Sequence, residues 1–235
     1  MLKIKELNAG YGKFQVLFNV TTHIKKGKII AIVGPNGSGK STLIKSIMGL
    51  TRIYSGKIFL KNEDITGLPV HLVTRHGVSY LPQVGNIFEN LTVKENLMLS
   101  CYTLDETESK ERTEMVLDEF PILRKYMDKK CKFLSGGERQ MLAMAMALVR
   151  EPEVILFDEP TASLAPKIAT QILSKIEELR EKRGITIVLV EQAAKKALEV
   201  ADDAILLVSG KISYQGAAED LLAHPELGKV YLGLK

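Results

Sequence analysis

The stretch “GPNGSGKST”, residues 34–42, decides how the rest of the chain is read. It fits the pattern G-x-x-x-x-G-K-[ST]. Glycines let a backbone curl so that successive N–H groups point inward at an anion. Just before it, “IIAIV” (residues 29–33) is apolar at every position, as in a parallel strand covered on both faces. Just after it, “STLIKSIMGL” reads as a helix whose positive end faces the same anion. Strand, loop and helix in this order predict a nucleoside triphosphate site. Its residues are Gly34, Pro35, Asn36, Gly37, Ser38, Gly39, Lys40, Ser41 and Thr42. Lys40 can reach the β- and γ-phosphates, and Ser41 can ligate Mg²⁺.

The segments around this loop keep an α/β rhythm. “FNVTTHI” (residues 18–24) alternates, so Phe18, Val20, Thr22 and Ile24 are expected on one face of an antiparallel strand. “KIFLK” and “GVSYLPQ” read as further strands, and “EVILFDE” and “ITIVLVE” as two buried ones. Between the last two, “PKIATQILSKIEELREKR” places Ile168, Ile172, Ile176 and Leu179 on one helical face, with Pro166 suited to the first turn. “AILLVSGKISYQG” predicts a terminal hairpin. From residue 91 to about 150 no strand is expected. There “LTVKENLMLS” opens with the capping-box pair Thr92 and Glu95, and “ETESKERTEMVLDEF” is a charged amphipathic helix. The expected architecture is a mixed, mainly parallel sheet flanked by helices, a P-loop NTPase core. An antiparallel β subdomain and an inserted helical subdomain (91–150) complete it, within one domain over residues 1–235.

Bulk properties fit such a domain. Of 235 residues, 46% are hydrophobic, enough for a sizeable core. The net charge of +4 comes without a long Lys/Arg block, so no nucleic-acid partner is expected. Cys101 and Cys131 match no metal spacing and read as free thiols of a reducing compartment. The start “MLKIKEL” is too polar for a signal peptide. No apolar run approaches the roughly 18 residues of a membrane span. A soluble chain is expected, with any membrane role resting on a partner.

Two further stretches carry chemistry. “EVILFDEP” ends a buried strand with Asp158 and Glu159. Beside a phosphate loop, Asp158 suits Mg²⁺ binding. Glu159, where the chain turns, can swing toward the γ-phosphate and polarise an attacking water. “LSGGERQ” (residues 134–140) precedes a strong helix, and Ser135 with Glu138 again has capping-box spacing. That spacing does not account for Gly136 and Gly137, since glycine weakens a helix by about 0.5–1 kcal/mol. The pair suggests that another body approaches the bare backbone, and that Ser135 with two exposed N–H groups forms a second anion site.

“GPNGSGKST”, “LPQ”, “LSGGERQ” and “ILFDEPTASL”, in that order, resemble the ATP-binding subunits of ABC transporters. The resemblance covers essentially the whole chain. It implies ATP hydrolysis with Mg²⁺, and a head-to-tail dimer with two ATP molecules between subunits. Ser135, Gly136 and Gly137 of one subunit would meet the γ-phosphate held by the other's Lys40. Tyr11, in “AGYGKFQVL”, is similar to the aromatic that stacks on adenine. Gln83, in “YLPQ”, is similar to the glutamine that contacts Mg²⁺ and the water.

The chain departs from the general pattern at two places. Ala165 and Pro166 stand where many members have aspartate after S-x-L. Gln192 stands where many have a histidine that hydrogen-bonds the γ-phosphate. Together these resemble the second ATPase subunit of high-affinity branched-chain amino acid importers, the LivF type. “AGYG..QVL” and the tail “VYLGLK” fit the same subgroup, whereas Ala193 and Gln83 differ from its usual asparagine and frequent glutamate. The resemblance implies transmembrane permease subunits as partners, a sister ATPase or a second copy of the chain, and indirectly a substrate-binding protein. It places the chain peripherally on the cytoplasmic face of the cell membrane. Residues near Phe88, Glu89 and Leu91 are the expected permease contact. Export of lipid or lipopolysaccharide is the alternative, and Ala165 and Gln192 speak against it. A non-transport ABC ATPase of DNA maintenance or translation usually carries a coiled-coil insert or tandem domains, for which 235 residues leave no room. Glu191 reads as a strand-end residue without assigned chemistry.

Overall fold

A computed structural model describes residues 1–224. The expectation drawn from “VYLGLK” lies outside the described residues. Two sheets organise the fold. The first is antiparallel and four-stranded, in the order β2-β1-β4-β5. Its strands are β1 (Leu2–Tyr11), β2 (Phe14–Ile24), β4 (Arg52–Leu60) and the short β5 (Glu63–Asp64). The second has six strands in the order β10-β9-β3-β8-β7-β6. These are β3 (Ile29–Val33), β6 (Val78–Leu81), β7 (Val154–Asp158), β8 (Thr186–Val190), β9 (Asp203–Val208) and β10 (Lys211–Ala217). All neighbours in it are parallel except the β9–β10 hairpin.

The apolar-on-both-faces pattern of the central strands has a direct cause. Ile29, Ala31 and Val33 of β3 enter one core, whereas Ile30 and Ile32 enter another. β7 divides Ile155 and Phe157 from Val154 and Leu156 in the same way, and β8 divides Ile187 and Leu189 from Val188 and Val190. One core lies toward the antiparallel sheet and α1 (Lys40–Ile47). The other lies toward α5 (Gly136–Leu148), α6 (Pro166–Arg183), α7 (Ala194–Val200) and α8 (Ala218–Ala223). A short α2 (Val70–Arg75) leads into β6.

α6 takes the expected form, with Pro166 in its first turn and Gly184 at φ 63° ending it. Its Ile172, Ile176 and Leu179 are fully buried, each worth about 1.5–3 kcal/mol of transfer free energy. Ile168 is half-buried at the edge of the same core. β2 corrects one expectation. Phe18 is 39% exposed, and Leu17 is buried in its stead. Asn19 has φ 52°, and the β1–β2 register shifts there, so the strict alternation begins only at Val20.

Between β6 and β7 the chain is helical. α3 (Val93–Ser100) starts with the full Thr92–Glu95 capping box, and α4 (Glu106–Glu119) is capped by Asp105. Glu119, at the end of α4, pairs with Lys175 at 3.5 Å and Arg183 at 3.0 Å, both on α6. This joins the helical segment to the α/β core.

Candidate functional site

The carboxyl-terminal ends of β3, β7 and β8 meet the start of α1 at one edge of the six-stranded sheet. This is the edge where α/β sheets bind ligands. The loop after β3 requires glycine at Gly34, where φ is 146° and a Cβ would collide with the Leu207 carbonyl oxygen. Lys40 is 5% exposed and folds back over the loop, donating to the carbonyls of Gly34 (2.9 Å) and Pro35 (3.1 Å). Burial lowers its ammonium below the ordinary lysine range, and the Glu159 and Asp158 carboxylates draw it back up. The Ser38 hydroxyl is buried in the loop and has no hydrogen-bond partner among the described residues. Such an orphaned donor fits a loop built to receive a phosphate oxygen.

Asp158 is buried, and hydroxyls engage both its oxygens. Ser41 Oγ donates at 2.7 Å to Oδ1, and the Tyr80 hydroxyl at 3.0 Å to Oδ2. Burial, the Asp158 charge and this hydrogen bond push the Tyr80 hydroxyl well above its ordinary range. Glu159 follows with φ 51° and donates its N–H to the Val190 carbonyl at 2.9 Å. This left-handed turn ends the strand alternation and brings the carboxylate to the cleft, where Gln83 Nε2 donates to it at 2.9 Å.

The cleft has a volume of about 560 Å³ and is lined by Val16, Asn36, Gly37, Gly39, Lys40, Ser41, Thr42, Gln83, Glu159 and Gln192. Three distant segments expected to act together, at Gln83, Glu159 and Gln192, therefore share one wall with the phosphate loop. Asp158 stands behind Ser41 and not on the wall. Tyr11 is 44% exposed and one residue removed from the cleft, its hydroxyl 3.5 Å from Thr42 Oγ1. Ser135, Gly136 and Gly137 are not among the lining residues and lie at the start of α5.

The start of α5 modifies the expectation made for it. Ser135 Oγ accepts from the Glu138 N–H at 3.3 Å, and Glu138 accepts from the Ser135 N–H at 2.7 Å. The two glycines have a reason within the chain. A Cβ on Gly136 would come 2.9 Å from Leu164 Cδ2, and one on Gly137 would come 2.6 Å from Ile168 Cγ2. The approaching body is thus the chain's own segment after Glu159, at least on the Cβ side. Ala165 and Pro166 form the N-cap and first turn of α6.

Three participants escape a reading of the sequence: Tyr80, Val16 and the Thr161–Glu191 pair. Glu191 is buried and accepts from the Thr161 N–H (3.0 Å) and hydroxyl (2.7 Å). Burial raises its carboxyl above the usual range, and the donors from Thr161 and Gln192 oppose that. The one available signal was that Glu191 directly continues an unbroken apolar strand.

The ABC transporter family pattern matches residues 17–162. A probable branched-chain amino acid transport ATP-binding protein, LivF of Archaeoglobus fulgidus, is 52% identical over 100% of this chain and 99% of its own length. A solved ATP-binding cassette of an ABC transporter, in its ADP conformation, superposes with TM-score 0.88 at 28% identity, covering 97% of both chains. A dimeric cassette in a post-hydrolysis state bound to ADP and Pi superposes with TM-score 0.80 at 28% identity, covering 93% of this chain and 99% of that one. The shared cleft, the ordered motifs and these full-length matches lead to one conclusion: the chain belongs to the ABC transporter family, as one of its ATP-binding, ATP-hydrolysing cassettes.

Proposed function

We propose that this chain is the ATPase subunit that powers a membrane importer of branched-chain amino acids. The observation that carries the ATPase chemistry is the hydrogen bond from Gln83 to Glu159 on the same cleft as Lys40 and Gln192. In this reading Glu159 takes the proton of a water whose oxygen attacks the γ-phosphorus. The bond to the β,γ-bridging oxygen breaks, and ADP and phosphate leave. Gln83 holds the Glu159 carboxylate in place. Lys40 leaves the loop carbonyls for the β- and γ-phosphate oxygens. Gln192 donates its amide N–H to the γ-phosphate, as a neutral substitute for a cationic donor. Tyr11 stacks on the adenine.

The residues present fit Mg²⁺. Ser41, Asp158 and Gln83 would hold it, a sparse all-oxygen set of the kind that leaves positions for water and phosphate. When bound, the ion neutralises charge on the β- and γ-phosphate oxygens. Ser135, Gly136 and Gly137 face the γ-phosphate of a second subunit, either a sister ATPase or a second copy of this chain.

The 52% identity over the full length supports the amino acid substrate, as do Gln192 and Ala165. We treat residues 1–235 as one ATP-binding domain with residues 91–150 as its helical subdomain. Among the described residues no helix is long and apolar enough to cross a membrane. In this reading, which the similarity to transport ATP-binding proteins supports, the chain works at the cytoplasmic face by binding permease subunits, and meets a substrate-binding protein only through them. Phe88 is exposed, and the buried Asn96 side chain holds its backbone at both N–H (2.8 Å) and C=O (3.0 Å). That firm presentation suits Phe88, Glu89 and Leu91 as the permease contact.

Reconstitution with branched-chain amino acid permease subunits tests the proposal. ATP-dependent leucine uptake is expected, and Glu159→Gln should lower turnover by about 10²–10⁴-fold while ATP binding and a stable dimer persist. Absence of uptake would remove the substrate assignment. Normal turnover in a monomeric Glu159→Gln variant would remove the mechanism.

A further inference from the structure

Glu191 directly follows β8 beside the cleft but does not line it. Its side chain is 2% exposed. Two donors converge on one carboxylate oxygen: the Thr161 N–H and the Thr161 hydroxyl. Among the described residues no cation pairs with it. A buried carboxylate is tolerated only when such donors satisfy it, and an apolar residue would end the strand at less cost. Packing alone therefore does not account for a carboxylate here.

The donors show what it holds. Thr161 is two residues beyond Glu159, and Gln192 is the next residue after Glu191. Within itself the segment from Glu159 to Leu164 makes two local turn bonds, from Ala162 N–H to Glu159 O (3.1 Å) and from Leu164 N–H to Thr161 O (3.2 Å). Glu159 and Ser163 both have positive φ, 51° and 61°. Such conformations persist only where the surroundings enforce them. Two links to β8 do so: the Glu159 N–H to Val190 O, and the pair of Thr161 bonds to Glu191.

We infer that Glu191 is a positioning residue. It locks the turn carrying Glu159 to the strand end carrying Gln192, so one buried carboxylate holds two cleft-lining side chains in register. Glu191 lies off the cleft wall and acts only through these neighbours. The inference rests on the proposed ATPase reading of the cleft.

Steady-state ATPase assays on the full chain test it, with melting temperatures recorded alongside. Glu191→Met keeps the length of the side chain and removes the oxygen that accepts both Thr161 bonds. Thr161→Val keeps the shape and removes the hydroxyl. Each should lower kcat about tenfold, with KM for ATP within about twofold of the unaltered chain. Thr161→Ser, which restores the hydroxyl, should return kcat to near its original value. The double variant should fall no further than the lower single one, because both remove the same link. Three results would overturn the inference: kcat within about twofold of the original in both single variants, fully additive losses, or losses that simply track melting temperature. If Glu191→Met does not fold, the Thr161→Val and Thr161→Ser pair decides alone. Failure of the underlying reading looks different: the unaltered chain would not hydrolyse ATP, or Glu159→Gln would hydrolyse it normally.

Discussion

Two helices in this molecule begin at glycine-rich turns, and they are finished in opposite ways. α1 has Gly39 as its N-cap at φ 100°, with no side-chain cap and no acidic residue in its first turn. α5 has Ser135 as its N-cap, a complete capping box with Glu138, and that carboxylate in its first turn. The first N–H groups of any helix need partners. α1 leaves them for an anion from outside. α5 satisfies two of them internally and sets its own negative charge where an anion would dock. The same residue type at a helix start thus supports a ready phosphate site in one place and a self-capped end in the other. For Ser135 to meet a second subunit's γ-phosphate, the phosphate must share or displace the cap made by Glu138.

The strongest test of this contrast is at α1. Lys40→Ala removes the one ammonium buried among the loop carbonyls, and should lower ATPase kcat/KM by at least about 10²–10³-fold. Equilibrium nucleotide binding should weaken as well. Retained affinity and turnover would mean that the α1 start needs no counter-charge, and the contrast would break.

A middle-sized effect is expected at α5. Gly137→Ala gains about 0.5–1 kcal/mol of helix propensity but drives a methyl group into Ile168 Cγ2, an overpacking that costs about 1–3 kcal/mol. A net fall of a few degrees in melting temperature should follow. Gly136→Ala meets only Leu164 Cδ2, the far end of a flexible side chain, and should melt at or above the original temperature. Equal behaviour of the two would show that Ile168 does not define the close approach.

The smallest effect concerns the cap itself. Burial raises the Glu138 carboxyl, but hydrogen bonds from Ser135 and Tyr126 outweigh this and hold it below the ordinary glutamate range. A depressed carboxyl stabilises the fold fully above its unfolded-state value and loses that contribution as pH falls through the folded-state value. Melting temperature should therefore drop less on acidification in Glu138→Gln than in the original chain. Parallel curves would show that the cap bonds carry no charge dependence.

What could be read from the sequence was what is local. The phosphate loop, the Asp158–Glu159 pair and both capping boxes each occupy a few consecutive residues whose spacing expresses their geometry. Gln83, Tyr11 and Gln192 needed a family resemblance, since nothing in their neighbours fixes a ligand. Missing altogether were contacts between segments far apart along the chain. Tyr80 reaches Asp158 across 78 residues, and Thr161 reaches Glu191 across 30. The close approach of Leu164 and Ile168 to Gly136 and Gly137 is hidden from the sequence for the same reason, because it forms only on folding. Phe18 was misplaced by a bulge, which a strict two-residue period cannot register.

The sheet shared by two cores has a consequence for how this chain can change length. A deletion of one residue inside β7 would leave a strand as greasy as before. Yet it would trade the occupants of the two cores and turn the strand's last side chain to the opposite face. Asp158 would then no longer meet Ser41. The inner strands act as rulers whose length, and not only their composition, sets the phase of the chemistry at one edge.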